Sequence, residues 1–408
     1  MSKNNYTVLK FGGTSVGSID RIKAIGQRIN ALVEKGASVV VVVSAMGKTT
    51  DELIHKAREI SSSPDPREYD ALISTGENIS SSLLSMVLIE NNIPAVSLTG
   101  PQAGVKTSSL HSKAKITHVD TGRIIKELEQ GKVVVVSGFQ GLNENNDVAT
   151  IGRGGSDTSA VVLAAALGVN ECDIFTDVDG VYTTDPRKVD SAKKLSAISY
   201  DEMLELASLG AGVLHPRAVE TAKQNDIIIH VRSSFSHEEG TRVKESKEME
   251  SNRSVTGVTV NENESIISVL KVPDSPGNAG KLFHALGEAG INVDMIIQSA
   301  EEGIKNDISF SIQQDDLQKA SEIVDIVSKE LGAESFHTND NIAKISAVGV
   351  GMLSRPGVAA KMFSALGDAG INILRISTSE IKISCAIARE DAKRGLAALH
   401  EAFELHKA

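Results

Sequence analysis

The chain has 408 residues, a formal net charge of −11 at pH 7 and 41% hydrophobic residues. Such a length exceeds the roughly 250–300 residues that one core usually organises, so two or three domains are expected. The acidic balance is spread without blocks of like charge, which argues against nucleic acid or an anionic membrane as the main partner and requires any anionic ligand to meet local positive charge.

Cys172 and Cys385 lie far apart and in no metal-ligand spacing, so neither a disulfide framework nor a zinc site is indicated and buried thiols are expected. The N-terminal stretch Met1 to Tyr6 is polar, and no run approaches the roughly 20 apolar residues of a membrane span. A soluble cytoplasmic protein is the expectation.

The first informative stretch is Val8-Leu9-Lys10-Phe11-Gly12-Gly13-Thr14-Ser15-Val16-Gly17. It reads as a strand that delivers a cation to a glycine turn, followed by a helix from Ile19. Backbone N–H groups in such a turn can approach a polyphosphate, although an ordinary strand-to-helix turn with a surface lysine has the same pattern. Five valines, Val39 to Val43, and a second run from Val133 to Val136 predict strands buried on both faces. Helical spacing marks Ile19 to Glu34, Asp51 to Ile60, Asp70 to Glu90, Asp120 to Glu129 and Asp157 to Leu167. The alternation implies an α/β layer fold with a largely parallel sheet, whose ligands gather beyond the strand carboxyl ends.

Gly47-Lys48-Thr49 imitates half of a P-loop, but the glycine that the full pattern needs is replaced by Val42. What remains is a polar loop with Ser44 and Thr50 as hydroxyl donors. Ser74-Thr75-Gly76-Glu77 follows. A glycine inside a helix costs about 1 kcal/mol relative to alanine, so either something approaches Gly76 closely or the helix breaks there. Glu77 either pairs with a cationic ligand group or is an ordinary solvated glutamate.

Gly152-Arg153-Gly154-Gly155-Ser156-Asp157 opens the helix that runs to Leu167. Exposed backbone N–H groups, the helix N-terminus and Arg153 suit a carboxylate, and Ser156 is a cap or a donor. Asp157 either orients a cation, with Lys10 the candidate, or simply caps the helix. The strand from Cys172 to Thr176 runs into a turn-rich acidic loop, Asp177 to Arg187, in which Tyr182 offers a flat face to a base. Its carboxylates suit ribose hydroxyls or a water-bridged magnesium ion, yet acidic turns are commonly inert.

From His237 to Ser254 the chain is polar and charged, which reads as a linker or surface excursion at a domain boundary. Beyond it the sequence repeats: the stretch from Pro276-Gly277 to Asn292-Val293 returns, without a gap, as Pro356-Gly357 to Asn372-Ile373. Each copy reads as strand, Pro-Gly turn, helix, Ala-Gly stop and strand, giving two βαββαβ-like modules.

On Lys10-Phe11-Gly12-Gly13-Thr14-Ser15, Ser74-Thr75-Gly76-Glu77, Gly152 to Asp157 and Ile376-Ser377-Thr378-Ser379-Glu380, the chain from Tyr6 to Leu405 resembles the aspartokinases. These belong to the amino-acid kinase family and carry a C-terminal pair of ACT regulatory domains. The resemblance implies an α/β amino-acid kinase fold over 1–245 and two α+β ferredoxin-like ACT domains over 264–335 and 342–408. It implies transfer of the ATP γ-phosphoryl group, with magnesium, to the β-carboxylate of L-aspartate, at the head of lysine, threonine and methionine synthesis. By similarity, Lys10 and Asp157 are catalytic. Lys10, Phe11, Gly12, Gly13, Thr176, Asp177, Tyr182, Thr183, Thr184, Asp185, Pro186 and Arg187 meet ATP. Ser44, Thr50, Glu77, Arg153, Gly154, Gly155 and Ser156 bind aspartate, and no residue is a dedicated metal ligand.

The resemblance also implies feedback by lysine, threonine or both. The matching effector positions are Asp274, Asn292, Val293, Asp294 and Gln298 in the first module and Val358, Ala359, Asn372, Ile373 and Ser379 in the second. Pairing of exposed ACT sheet edges makes a homo-oligomer the expectation. With the chain stopping at Ala408, no fused homoserine dehydrogenase domain is expected. Two other readings stand beside this one: a different carboxylate or carbamate kinase of the same fold, and a non-catalytic amino-acid sensor.

Overall fold

The computed structural model describes residues 6–210, 212–245, 253–300 and 305–407. They form two compact units, the first built from residues 6–181, 194–208 and 212–245 and the second from 182–193, 209–210 and 253–407. The linker expected from His237 to Ser254 is partly outside the described residues, at 246–252. Its first half contains a strand, Thr241–Lys244.

In the first unit the elements run β1 (Tyr6–Phe11), α1 (Ile19–Val33), β2 (Ser38–Val43), α2 (Thr49–Ile60), α3 (Pro66–Ile73), α4 (Thr75–Glu90), β3 (Ala95–Leu98), β4 (Val105–Thr107), β5 (Ile116–Val119), α5 (Gly122–Glu129), β6 (Val133–Ser137), β7 (Gln140–Leu142), β8 (Val148–Thr150), α6 (Gly155–Ala166), β9 (Glu171–Thr176), β10 (Ala197–Ser199), α7 (Tyr200–Ser208), α8 (Pro216–Asn225), β11 (Ile228–Ser233) and β12 (Thr241–Lys244). The main sheet has the order β10-β12-β11-β9-β1-β2-β6-β3, parallel except where β12 runs against β11. The valines of β2 and β6 are buried, as two-sided strands require. Helices α1 and α4 cover one face through Ile22, Ile25, Ile29, Leu84 and Leu88, while α6 packs on β1, β2 and β9 from the other.

The segment expected as one helix from Asp70 to Glu90 is two. Asp65 caps α3 through the N–H groups of Arg67 and Glu68, with Pro66 at the first helical position, and the chain turns at Ser74. There the hydroxyls of Ser74 and Thr75 bond back to the carbonyls of Ala71 and Leu72 at 3.0 and 2.7 Å, and Gln140 Nε2 donates to the Ser74 carbonyl at 2.8 Å. Side chains thus compete with the helical ladder and win. The α3–α4 stretch is long and apolar enough to cross a membrane by composition, but half of that window is buried inside the unit, where α4 packs on α1, β3 and β6.

A smaller sheet, β5-β4-β7-β8, is tied to α3 by fully buried Asp70. Its carboxylate accepts from Ser112 N and Thr150 N, both at 2.9 Å, and from the hydroxyls of Ser112 and Thr150 at 3.1 and 2.6 Å; His111 Nδ1 lies 2.9 Å away.

The second unit carries β13 (Gly257–Pro273), α9 (Asn278–Glu288), β14 (Asp294–Ala300), β15 (Lys305–Gln313), α10 (Leu317–Leu331), β16 (Ser335–Val348), α11 (Val358–Asp368), β17 (Arg375–Thr378), β18 (Lys382–Ala388) and α12 (Ala392–Ala402). Both repeats turn at a left-handed glycine before the helix, Gly277 at φ 96° and Gly357 at φ 92°, where a side chain would be strained. The antiparallel sheet has the order β14-β15-β13-β16-β18-β17. The long strands β13 and β16 pair from Gly257↔Val348 to Leu270↔Ser335, so each serves both ferredoxin-like α+β modules. Each module keeps its own core, one around Leu282, Phe310 and Val324 and the other around Met362, Ile383 and Leu396.

Candidate active site

The chemistry-bearing residues of the first unit converge where β1, β2, β6 and β9 end. β1 ends beside β9, with Phe11 opposite Phe175 and the two rings stacked at 4.8 Å. The chain then turns through Gly12, whose N–H donates to the Phe175 carbonyl at 3.1 Å. Lys10 folds back over this turn: a Cβ on Gly12 would lie 3.4 Å from Lys10 Nζ. The same Nζ meets Asp157 Oδ1 at 2.5 Å, which places Asp157, in the first turn of α6, as the orienting partner of the lysine.

Beyond β2, Ser44 N bonds to the Phe11 carbonyl at 3.1 Å and Gly47 N to the Gly13 carbonyl at 3.0 Å, so the loops after β1 and β2 lie against each other. Any Cβ on Gly13 would strike the Ala45 carbonyl at 2.9 Å. On its other side this loop meets α4. A Cβ on Gly76 would come within 2.8 Å of Ala45 Cβ and 3.8 Å of Thr50 Oγ1, so the helix breaks nearby and is closely approached as well.

Glu77 is 4% exposed. Its Oε1 accepts the Ala45 N–H at 3.1 Å, and its Oε2 is buried with no hydrogen-bond partner. Burial pushes its carboxyl up to about 7, against the opposing pull of the Ala45 N–H. Among the described residues no side-chain cation pairs with this carboxyl, whose Oε2 is left without a partner.

The Gly152 to Asp157 loop wraps the N-terminus of α6. Gly152 and Gly154 adopt φ values of 86° and 70°, which only glycine takes without strain, and Arg153 between them is exposed. Buried Ser156 packs against Gly138, where an added Cβ would stand 2.8 Å from Ser156 Cβ. The structure therefore brings Lys10, Gly12, Gly13, Ser44, Thr50, Glu77 and the loop of Arg153 to Asp157 into one neighbourhood, with Thr176 and Asp177 at the end of β9.

Tyr182 to Arg187 pack in the second unit. Thr183 is fully buried, its hydroxyl 3.0 Å from His400 Nε2 on α12 and its carbonyl accepting from Val258 N at 2.8 Å. Arg187 binds Asp185 with two parallel bonds of 2.9 and 2.8 Å. Also in this unit, Ile266, Met295, Ile342 and Ala386 form a cluster against which Leu374 packs, bringing the start of β14 to that of β17. Asn292, Asp294 and Gln298 are exposed on one side of this junction and Asn372 and Ser379 on the other, and Asp294 also reaches Lys344 Nζ at 2.7 Å.

Three groups were not singled out from sequence. Ser137, at the end of β6, shares a 2.9 Å hydrogen bond with Ser81 of α4, and Ser159 Oγ accepts the Phe139 N–H at 3.1 Å. For Ser137 the available signal was its place directly after the valine run Val133 to Val136. His215 and Arg217, at the start of α8, lie against the glycine loop, and only Pro216 at a helix start marked them.

A parallel sheet whose strand ends gather a lysine, glycine turns and a buried carboxylate is an arrangement suited to a phosphorylated ligand. Residues 5–233 match the amino acid kinase family, and residues 268–325 and 345–403 match the ACT domain. The chain is 50% identical over 398 residues to an aspartokinase of Bacillus sp. (strain MGA3), covering 98% of this chain and 97% of that one. A crystal structure of aspartate kinase from Synechocystis is 47% identical, with a TM-score of 0.54, covering 98% of this chain and 69% of that one. Escherichia coli aspartokinase III, solved in complex with lysine and aspartate, is 25% identical with a TM-score of 0.77 over 98% of this chain and 99% of that one. The chain belongs to the aspartokinase family, amino-acid kinases with ACT domains.

Proposed function

We propose that the protein transfers the γ-phosphoryl group of ATP to the β-carboxylate of L-aspartate, giving 4-phospho-L-aspartate and ADP. The supporting observation is Glu77: a buried carboxylate with an unpartnered oxygen, one loop away from a lysine-bearing glycine turn, suits a substrate that brings both an ammonium and an acceptor carboxylate.

A carboxylate with an ordinary pKa near 3.9 is already ionised at neutral pH, so no general base is needed. Its oxygen attacks the γ-phosphorus, the bond to the bridging oxygen breaks, and the electron pair leaves on ADP. Lys10 neutralises charge developing on the transferring oxygens, held by Asp157, while the backbone N–H groups from Gly13 onward, beyond the Gly12 N–H that bonds to Phe175, cradle the phosphates. Ser44, Thr50, Arg153, Gly154, Gly155 and Ser156 surround aspartate, with Arg153 on a carboxylate and Glu77 on the ammonium. Thr176 and Asp177, at the end of β9, contact the nucleotide, whereas Tyr182 to Arg187 pack in the second unit with Thr183 fully buried.

Magnesium comes with ATP, held by phosphate oxygens and water as this hard ion favours. Among the described residues one trio of metal-type ligands stands together, Glu171, Asp173 and His230. It lies further back along β9 and β11, where Arg242 and Arg232 already face its carboxylates.

In this reading 1–245 carries catalysis, and the repeats at 264–335 and 342–408 bind lysine, threonine or both to restrain a cytoplasmic homo-oligomer. The product then enters lysine, threonine and methionine synthesis. The test is an initial-rate assay that traps the acyl phosphate with hydroxylamine, using aspartate, glutamate and N-acetylglutamate. Turnover with aspartate alone is expected. Preference for another acid overturns the substrate, and no ATP-dependent hydroxamate with any acid overturns the catalytic reading. Added lysine and threonine, singly and together, test the restraint.

A further inference from the structure

The Gly152 to Asp157 loop has two left-handed glycines, and the start of α8 crowds the second of them, Gly154. His215 caps α8, its Nδ1 accepting the Arg217 N–H at 3.3 Å, with Pro216 at the first helical position. Its ring lies on the backbone of Gly154, so that a Cβ there would fall 2.1 Å from His215 Cγ. Arg217 reaches past it with a forked guanidinium: Nη1 donates to the Ile151 carbonyl and Nη2 to the Ala114 carbonyl at 2.9 Å. Gly152, next to the anchored Ile151, is crowded by the Ser112 carbonyl, 2.9 Å from an added Cβ, with Arg217 Nη1 in ordinary contact at 3.9 Å. Arg153 is the one residue between these two anchored points, and it projects into solvent.

We propose that His215 and Arg217 are positioning residues for aspartate: they fix the backbone on either side of Arg153 so that its guanidinium is preorganised for the substrate carboxylate. A planar fork bridging two carbonyls is something arginine does and lysine cannot, because an ammonium is a point donor on a flexible stem. The imidazole is flat and rigid enough to lie on a glycine Cα, and its capping bond fixes the ring's orientation. Burial, against the opposing charge of Asp157 and with help from Arg217 and Arg153, holds this imidazole below its usual pKa, which favours the neutral form that can accept the capping N–H. The inference rests on the reading of Arg153 as an aspartate ligand.

The test is steady-state kinetics on the full chain for Arg153→Ala, Arg217→Ala, Arg217→Lys, His215→Asn and the double variant Arg153→Ala/Arg217→Ala. Arg217→Ala is expected to raise the aspartate KM about 10-fold, with the ATP KM within about threefold. Arg217→Lys falls in between, because it can satisfy one carbonyl. His215→Asn keeps a capping acceptor but loses the ring, and raises the aspartate KM about threefold to fivefold. In the Arg153→Ala background the Arg217→Ala effect shrinks to less than about twofold, since there is no longer a guanidinium to place.

A merely structural role predicts something else: equal changes in both KM values, or an Arg217→Ala effect that persists undiminished without Arg153. Either result overturns the inference. If Arg153→Ala itself leaves the aspartate KM unchanged, the assignment of Arg153 fails, and the inference with it. Should Arg217→Ala not fold, as judged by circular dichroism, Arg217→Lys and His215→Asn alone and with Arg153→Ala carry the same comparison.

Discussion

Among the described residues two lysines are withdrawn from water, and their surroundings differ. Lys10, 7% exposed, ends a strand in the first unit and faces a single carboxylate, Asp157 at 2.5 Å. Lys344, 3% exposed, lies mid-strand in the second unit between Glu264 at 2.6 Å and Asp294 at 2.7 Å. Burial opposes the charge of Lys344, but its two carboxylates outweigh burial and raise its pKa. The trio carries a net negative charge, so its lysine is fully committed. The Lys10 pair is formally neutral and faces the Gly12-Gly13 turn, so its lysine has one carboxylate and not two to satisfy when an anion arrives. Depth of burial does not separate the lysine proposed as catalytic from the structural one; the number of carboxylates already committed to each does.

The largest expected effect is at the committed lysine. Lys344→Met strands two carboxylates and should cost about 3–5 kcal/mol of stability in a denaturant titration, with kcat of the folded fraction within about threefold. Lys10→Met should do the reverse. Losing a positioned charge at a developing anion lowers kcat by about 100- to 1,000-fold, while the denaturation midpoint, with one carboxylate stranded instead of two, falls less than for Lys344→Met. If Lys344→Met removes activity without loosening the fold, or Lys10→Met loosens the fold without removing activity, the contrast collapses.

Glu77 sharpens it from the other side, as a buried carboxylate with no cation at all. Glu77→Gln should raise the aspartate KM about 10- to 100-fold, the worth of a charge-assisted hydrogen bond, with the ATP KM nearly unchanged. Because burial raises the folded-state carboxyl to about 7, above its ordinary value of 4.5, folding favours its protonated form. The stability this contributes is full below about pH 4.5 and is lost as the pH rises through 7. Glu77→Gln is therefore expected to melt higher than wild type at pH 8, trading stability for substrate affinity.

Asp294 belongs to the structural trio and to the proposed effector positions at once, and the Lys344 charge outweighs burial to hold its carboxyl below the usual range. Gln298→Ala or Asp294→Asn should raise the half-inhibitory effector concentration at least about 10-fold, a loss of roughly 1.4 kcal/mol, with kcat in the absence of effector within about threefold. Unchanged inhibition in both variants would move the effector elsewhere in the unit. The smallest effect expected is in pH dependence: with half of Glu77 ionised near pH 7, the aspartate KM should rise about fivefold between pH 7 and 6 as the ionised fraction falls. A flat profile would show that Glu77 does not meet the ammonium.

Much of this was legible in the residues. Valine runs gave buried strands, the Pro-Gly to Ala-Gly duplication gave two like modules, and Lys10 with Asp157 was readable as a pair because a lysine at a strand end and an aspartate at a helix start are local features. What local pattern does not encode is partnership across distance. The break at Ser74 depends on Gln140, which is 66 residues away, donating to its carbonyl. The role of His215 appears only once α8 is laid on Gly154. Nor do the turn signals from Asp179 to Pro186 say that Thr183 would bond to His400.

The shared ladder of β13 and β16 makes the duplicated modules inseparable as units of inheritance and of engineering. Each strand supplies one half to either repeat, so a gene fragment carrying only the first copy would leave the Gly257 to Asn261 half of β13 without its Lys344 to Val348 partner. It would present a raw sheet edge to every other chain it met. The copies could arise by duplication, but once interlaced they can diverge in sequence far more easily than either can be lost.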